Sequence, residues 1–209
     1  MLLDEQVGAL CAVHALNNIL QGELAAFSAA DLRAGAELAR LADVQGHMAG
    51  DGAVPPGAPG ADMHEDAGGN FSYHAVGRAL SRRQFNWRGV AVQRRGNGSV
   101  DPVATVDAAF APVVTGTGEA PILGIFVHHG DHYTAMIRRE GTVFHLDSLP
   151  HSSGEGRWVF EVPSPLFVEY AQHYTRGQVA PGGREVGGLY SVFYAGYDYL
   201  AAEAHLGVG

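Results

Sequence analysis

The sequence contains one cysteine, no lysine and no apolar run long enough to cross a membrane. A single cysteine cannot form an internal disulfide, so the fold does not depend on one, and a reducing compartment suits this composition. The N-terminus begins Met1-Leu2-Leu3-Asp4, without a basic region followed by an apolar stretch, so we expect no signal peptide. We therefore expect a protein of the cytoplasm, the nucleus or both, with no membrane partner.

Basic charge is scarce as well. The 13 basic residues are outnumbered by 22 acidic ones, which gives a formal net charge of −9. Nucleic-acid binding requires a positive surface, so this balance disfavours a nucleic-acid partner. The basic residues are all arginine. Compositional drift in a GC-rich genome explains this more simply than selection against modification at lysine, although both leave the same trace.

The pattern of apolar residues predicts helices first and strands later. At 209 residues, one domain is the expected number. Apolar positions at helical spacing predict a helix from Cys11 to about Leu20, and Ser28, Ser72 and Asp101 are candidate N-caps of three more. A fifth helix is expected after Ser164. The strands are predicted at 85–92, 122–128, 133–137, 143–147 and 189–194.

This order of elements predicts an α+β fold, with a helical part packed on a mainly antiparallel sheet. Residues 46–69 interrupt it, because they contain seven glycines and three prolines. Glycine raises the entropy cost of ordering and proline prevents a regular helix, so we expect a flexible Gly/Pro-rich arm here. Residues 201–209 are assigned to a tail.

Cys11 stands at the start of the first predicted helix, where a thiol can act as a nucleophile. The thiolate is the reactive form, and a helix N-terminus stabilises it. The alternative is a buried structural cysteine, which is a common fate for a free thiol. Gln6, five residues earlier, can donate a hydrogen bond to a developing oxyanion beside the Cys11 N–H, or is an ordinary surface glutamine.

A histidine and a carboxylate are expected to meet on a hairpin further along the chain. A turn at Glu140-Gly141 places Thr134 opposite Asp147 and makes His132 a diagonal neighbour of Asp147, at ~7–8 Å between Cα atoms. His132 is then a candidate base and Asp147 the group that orients it. Each residue alone is more simply a solvated histidine or a turn-capping carboxylate. Together with Cys11 they favour a nucleophilic site.

Two other roles for the histidines are weaker. His14 lies one turn after Cys11 and is expected to pack locally instead of acting as the base. The histidine-rich run 128–132, with His145 and Asp147, also permits a hydrolytic metal. No recognised spacing such as HExxH is present, so we expect no metal and no other cofactor.

The segment Gln6–Asn18, closed by Gln21-Gly22, resembles the signature of Josephin-domain cysteine proteases, the deubiquitinases of the ataxin and Josephin type. The similarity extends over about residues 4 to 196. Tyr133 stands where the family usually has tryptophan. The supporting segments are 69–73, 132–136, 145–149 and 189–193.

The resemblance implies a papain-like fold over residues 1–200 and cleavage of the isopeptide bond after the C-terminal glycine of ubiquitin. It makes Cys11 the nucleophile, His132 the general base, Asp147 the orienting group and Gln6 the oxyanion donor. The partner would be ubiquitin or polyubiquitin chains, and a monomer is expected.

The resemblance also implies ubiquitin-facing positions at Phe27, Tyr73 and His74. Two departures from the family concern the chain before Gln6, which is shorter than usual, and residues 46–69, which replace the second helix of the family's arm.

Two alternative functions remain open on the sequence alone. A non-catalytic ubiquitin-binding module is one, and the intact set of Cys11, His132, Asp147 and Gln6 argues against it. A papain-like amidase or deamidase with another substrate is the second, since the nucleophile geometry would be the same.

Overall fold

The computed structural model describes residues 10–22, 26–48, 64–65, 70–115, 118–129, 132–148, 159–162 and 187–194. These residues contain four helices and eight strands. None of the helices in this part of the chain is long and apolar enough to cross a membrane.

Three of the four helices in the described residues begin at residues that the sequence marks as caps. Ser72 and Asp101 accept hydrogen bonds from the backbone N–H three residues ahead. Ser28 and Asp31 bond each other reciprocally, through Ser28 N–H to the carboxylate at 2.8 Å and Asp31 N–H to the hydroxyl at 3.3 Å. The three predicted N-caps are confirmed. The helices are α1 (Cys11–Leu20), α2 (Ala29–Met48), α3 (Tyr73–Arg82) and α4 (Pro102–Phe110).

Six strands form one sheet in the order β1-β8-β4-β5-β6-β7, and β2 and β3 form a separate hairpin. Every strand pair in these residues is antiparallel, so the predicted α+β class is confirmed. The strands are β1 (Phe85–Gly89), β2 (Val113–Thr115), β3 (Gly118–Ala120), β4 (Ile122–His129), β5 (His132–Arg139), β6 (Thr142–Leu146), β7 (Val159–Glu161) and β8 (Gly187–Tyr194).

The large sheet has an apolar core on each face, because successive strand residues point to opposite sides. In β4, Phe126 belongs to the core that also contains buried residues of α1, α2 and α3. Its neighbours Ile125 and Val127 belong to the second core, which contains buried residues of α4. Helix α1 is therefore held against one face of the sheet, beside β4 and β5.

The predicted Gly/Pro-rich arm is wrong at both of its ends. Residues 46–48 continue α2, which ends at Met48. A single glycine costs a helix only about 1 kcal/mol relative to alanine, and the first proline comes at Pro55. At the other end, Glu65 forms a β-bridge with Phe71. Residues 49–63 and 66–69 lie outside the described residues, so the flexibility of the arm stays a prediction.

Four strands differ from the sequence-based expectation. The predicted strand at 85–92 ends at Gly89, and β2, β3 and β7 were not predicted. Strands of three residues are too short to show the alternation by which a strand is recognised. The helix expected after Ser164 and the tail 201–209 lie outside the described residues.

Candidate active site

A tight turn sets the register of the hairpin that carries the histidine and the carboxylate. Glu140 and Gly141 both have left-handed backbones, with φ of 49° and 83°. Two left-handed central residues are typical of the type I′ turn that joins antiparallel strands. The strands pair Ala135 with Leu146, and continuing this register places Thr134 opposite Asp147. The predicted hairpin and its register are confirmed.

His132 and Asp147 meet at the end of this hairpin. Nε2 of His132 lies 2.8 Å from Oδ1 of Asp147. The Asp147 side chain is 1% exposed and that of His132 is 21% exposed. The pair is therefore a partly shielded ion pair or hydrogen bond, with one edge of the imidazole still open to a reactant.

Cys11 completes the group as the first residue of α1. Its side chain is buried and forms a hydrogen bond with the His132 side chain. Because Nε2 of His132 is directed to Asp147, Nδ1 is the ring nitrogen left for the sulfur. Leu10 occupies the cap position of α1 and its apolar side chain cannot accept a hydrogen bond from the first-turn amides. The positive end of the helix dipole thus acts on the thiol.

The surroundings of His132 favour its protonated form. Burial lowers the pKa of His132, but hydrogen bonds to Asp147 and to Cys11, together with their charges, outweigh burial and raise it to about 9. At neutral pH the ring is then an imidazolium. An imidazolium beside a sulfur stabilises the thiolate, which is the nucleophilic form. The three side chains can therefore perform nucleophilic catalysis.

The Josephin family model matches residues 6–155, which is more than half of the chain and contains all three side chains. The chain belongs to the Josephin family. Josephin domains are in general cysteine proteases of the deubiquitinase type and bind ubiquitin. Their fold is papain-like, and the helices and antiparallel sheet found here agree with it. No curated protein matches the sequence at a significant level.

The sheet of this Josephin domain extends beyond the matched residues. Strand β8 lies between β1 and β4 in the interior of the sheet. Its residues Leu189, Tyr190 and Val192 are buried in the two cores. The domain therefore includes chain up to at least Tyr194.

The structure describes only some of the remaining predicted site residues. Gln6 lies outside the described residues, so its oxyanion role stays a prediction. Tyr73 is half-buried, and its ring contacts the tilted ring of exposed His74, with 3.9 Å between ring centroids. Phe27 is only 3% exposed, and the guanidinium of Arg83 covers its ring at 4.1 Å. The ubiquitin-facing roles stay predictions, and Phe27 has little surface to offer a partner.

The histidine-rich strands send their side chains to separate partners. His128 stacks on Tyr133 at 4.5 Å between centroids, whereas Nε2 of His145 lies 2.7 Å from Oγ1 of Thr134. Within the part of the chain that the structure describes, no three His, Cys, Asp or Glu side chains could hold a metal ion. His14 is buried on α1, one turn beyond Cys11.

Tyr133 is a residue near the site that the sequence-based assignment left without a role. Its hydroxyl donates a hydrogen bond to the backbone oxygen of Phe71, which precedes α3. Its ring stacks between Phe126 and His128. The residue after the base is therefore tied to the helical part of the domain. The sequence signal for this link is the tyrosine hydroxyl at position 133, where the family usually has tryptophan.

Proposed function

We propose that this Josephin domain is a cysteine-type deubiquitinase that hydrolyses the isopeptide bond after the C-terminal glycine of ubiquitin. The observation that carries the proposal is the contact of Cys11 with His132 at the start of α1, with Asp147 on the other side of the imidazole. Family membership supports ubiquitin as the substrate, because Josephin domains bind ubiquitin in general.

In the first half of the reaction, the Cys11 thiolate attacks the carbonyl carbon of the ubiquitin glycine. The π electrons of the carbonyl move to its oxygen, and the N–H of Cys11 and the amide of Gln6 stabilise that oxyanion. The oxyanion then collapses and the C–N bond breaks. His132 gives its Nδ1 proton to the departing lysine amine. A thioester between Cys11 and ubiquitin remains.

In the second half, water hydrolyses the thioester. His132, now neutral, takes a proton from water as the oxygen attacks the carbonyl carbon. Collapse of this second tetrahedral species expels the Cys11 thiolate and restores the thiolate–imidazolium pair. Ubiquitin leaves as a carboxylic acid, which ionises in solution. Asp147 holds the Nε2 proton of His132 throughout, which fixes the ring with Nδ1 toward the sulfur.

The direct test uses ubiquitin with an electrophile in place of its C-terminal carboxylate. We expect the protein to gain the mass of one ubiquitin at Cys11, and we expect the Cys11→Ala variant to gain none. Polyubiquitin chains incubated with the same two proteins measure isopeptide cleavage. Cys11 is the only thiol in the sequence, so the site of labelling is unambiguous.

The alternative functions predict different results in this test. A non-catalytic module binds ubiquitin but forms no adduct and cleaves no chain. A papain-like amidase for another substrate reacts at Cys11 with the small alkylating agent iodoacetamide but not with the ubiquitin electrophile. Either pattern would overturn the proposed deubiquitinase activity.

A further inference from the structure

A second polar pair crosses the same two strands directly behind His132 and Asp147. Oγ1 of Thr134 on β5 lies 2.7 Å from Nε2 of His145 on β6. Thr134 is 2% exposed and His145 is fully buried. The two side chains therefore form a hydrogen bond that is shielded from water.

This second pair repeats the geometry of the first, one step further along the hairpin. Thr134 follows His132 by two residues and His145 precedes Asp147 by two, so all four lie on one face of the hairpin. Each pair is diagonal in the same sense, because continuing the register places Thr134 opposite Asp147. The two hydrogen bonds are successive diagonals of one ladder.

On the side away from Asp147 the second pair adjoins apolar residues, which makes a polar pair unexpected there. Met136, the strand partner of His145, belongs to the core that packs against α4, as does Val143. Burying a hydroxyl and an imidazole carries a desolvation cost that their hydrogen bond only offsets. Two apolar side chains of similar size would stabilise this core at least as well. Stability alone does not account for the pair.

The position of the Thr134–His145 pair beside Asp147 gives a reason for a polar pair at this point. The β5–β6 ladder ends at the pair Ala135–Leu146, so Asp147 lies one residue beyond it. The Thr134–His145 hydrogen bond is a cross-strand link at that end. Residues directly opposite each other have Cβ atoms ~4.5–5.5 Å apart, so the Thr134 side chain also faces Asp147 closely.

We propose that Thr134 and His145 are positioning residues that hold Asp147 against the imidazole of His132. Their hydrogen bond fixes the separation of β5 and β6 at the point where the ladder stops. Asp147 then keeps the distance and angle that its bond to Nε2 of His132 needs. Neither Thr134 nor His145 contacts the reacting atoms in this scheme. The inference rests on the proposed thiol chemistry of Cys11.

The titration of His132 reports on this arrangement without any ubiquitin. The groups that raise its pKa are Asp147, which follows β6, and Cys11 on α1. A displaced Asp147 would stabilise the imidazolium less, so the proton would leave at lower pH. The imidazole resonance of His132, assigned by its loss in the His132→Gln variant, can be followed by NMR across the pH range.

Thr134→Val is the decisive variant, because it keeps the branched shape and removes only the hydroxyl. We expect the His132 pKa to fall by about one unit. On ubiquitin substrates, kcat should fall with KM unchanged. Thr134→Ser should restore both the His132 pKa and kcat, because it restores the hydroxyl. His145→Leu should repeat the effect of Thr134→Val.

Ser191→Ala is the matched control. Ser191 lies on β8, and its hydroxyl is also buried. This hydroxyl donates a hydrogen bond to the backbone oxygen of Ala109 at 2.6 Å. We expect this variant to lower the melting temperature and leave the His132 titration unchanged. A Thr134→Val variant that behaves in the same way, with lower stability and an unshifted pKa, would overturn the positioning role. A failure to hydrolyse ubiquitin would not affect the titrations, so it would count only against the proposed function.

Discussion

Nε2 of His132 and Oδ1 of Asp147 are 2.8 Å apart, although the residues are 15 positions apart in the sequence. One turn, at Glu140-Gly141, brings them together. A slip of one residue in this hairpin would direct one of the two side chains to the opposite face of the sheet. The orientation of the base thus depends on local turn chemistry.

The first prediction concerns the nucleophile. Cys11→Ala should abolish cleavage of polyubiquitin, because no other thiol exists in the sequence. The side chain is small and buried, so the loss of folding stability should be only about 1 kcal/mol. Gel assays of chain cleavage and thermal melting test the two parts. Cys11→Ser, which keeps the shape, is the control for packing. Full activity in either variant would refute the thiol mechanism.

The second prediction compares the base with its orienting group. His132→Ala should lower kcat by ~10²–10⁴-fold, which is typical for the loss of a positioned base. Asp147→Ala should lower it less, because an imidazole that is poorly oriented can still transfer a proton. Steady-state kinetics on a ubiquitin C-terminal fluorogenic substrate give both values. His14→Ala serves as the comparison on α1. If that variant were the severe one and His132→Ala were silent, the assignment of the base would be wrong.

The third prediction is a pH dependence. The His132 pKa is about 9, so its proton is lost as pH rises through that value. The leaving amine then receives no proton from the imidazole, and kcat should decline on the alkaline side near pH 9. Asp147→Asn removes the negative charge that stabilises the imidazolium, so the decline should move to lower pH. Rates measured across pH for both proteins test the sign. A shift to higher pH would contradict this origin of the raised pKa.

The parts of this structure that could be predicted from the sequence are those with local signals. Ser72 and Asp101 marked the starts of α3 and α4 because a cap needs only a few neighbouring residues. The register of His132 and Asp147 followed from a two-residue turn and strict alternation. The position of Cys11 at the start of α1 followed from the helical spacing of the apolar residues after it.

The parts that could not be predicted depend on residues far apart in the sequence. The insertion of β8 between β1 and β4 is a choice of strand order that no local pattern encodes. The hydrogen bond from Tyr133 to Phe71 spans 62 positions. His145 was visible only as one more histidine of a rich cluster. Its bond to Thr134 became apparent when the register was known.

The fourth prediction concerns Gln6. Removal of one oxyanion donor, in Gln6→Ala, should lower kcat by ~10²–10³-fold and leave KM nearly unchanged, because the bond forms mainly in the transition state. Gln6→Glu is a useful companion, since a negative charge beside the oxyanion should be at least as harmful. Kinetics on the fluorogenic substrate separate the two constants. A raised KM with normal kcat would show that Gln6 serves substrate binding instead.

The last prediction concerns the connection between α2 and α3. The buried ring of His64 joins the two helices, with Nε2 at 2.8 Å from Oδ2 of Asp43 and Nδ1 at 2.8 Å from Oγ of Ser72. The Ser72 N–H also donates to the His64 backbone oxygen. These bonds fix His64 next to the start of α3. Their partners are Asp43 and Ser72, and not the glycines and prolines that come before His64.

His64→Ala should therefore destabilise the domain by about 1–3 kcal/mol, because it removes two hydrogen bonds of a buried ring that joins α2 and α3 and leaves a cavity in its place. That loss corresponds to about 2–4 °C in melting temperature for each kcal/mol in a domain of this size. If residues 49–63 form the flexible connection that the sequence predicts, deleting residues 52–58 should leave the melting temperature almost unchanged, because the entropy of loop closure changes little with loop length. The deletion should alter cleavage of polyubiquitin more than cleavage of a small ubiquitin ester, if the arm lies beside the substrate. Glu65→Gln is the matched control, since its ion pair with the exposed Arg33 should contribute little. A deletion that costs as much stability as His64→Ala would show that the His64 bonds depend on the loop.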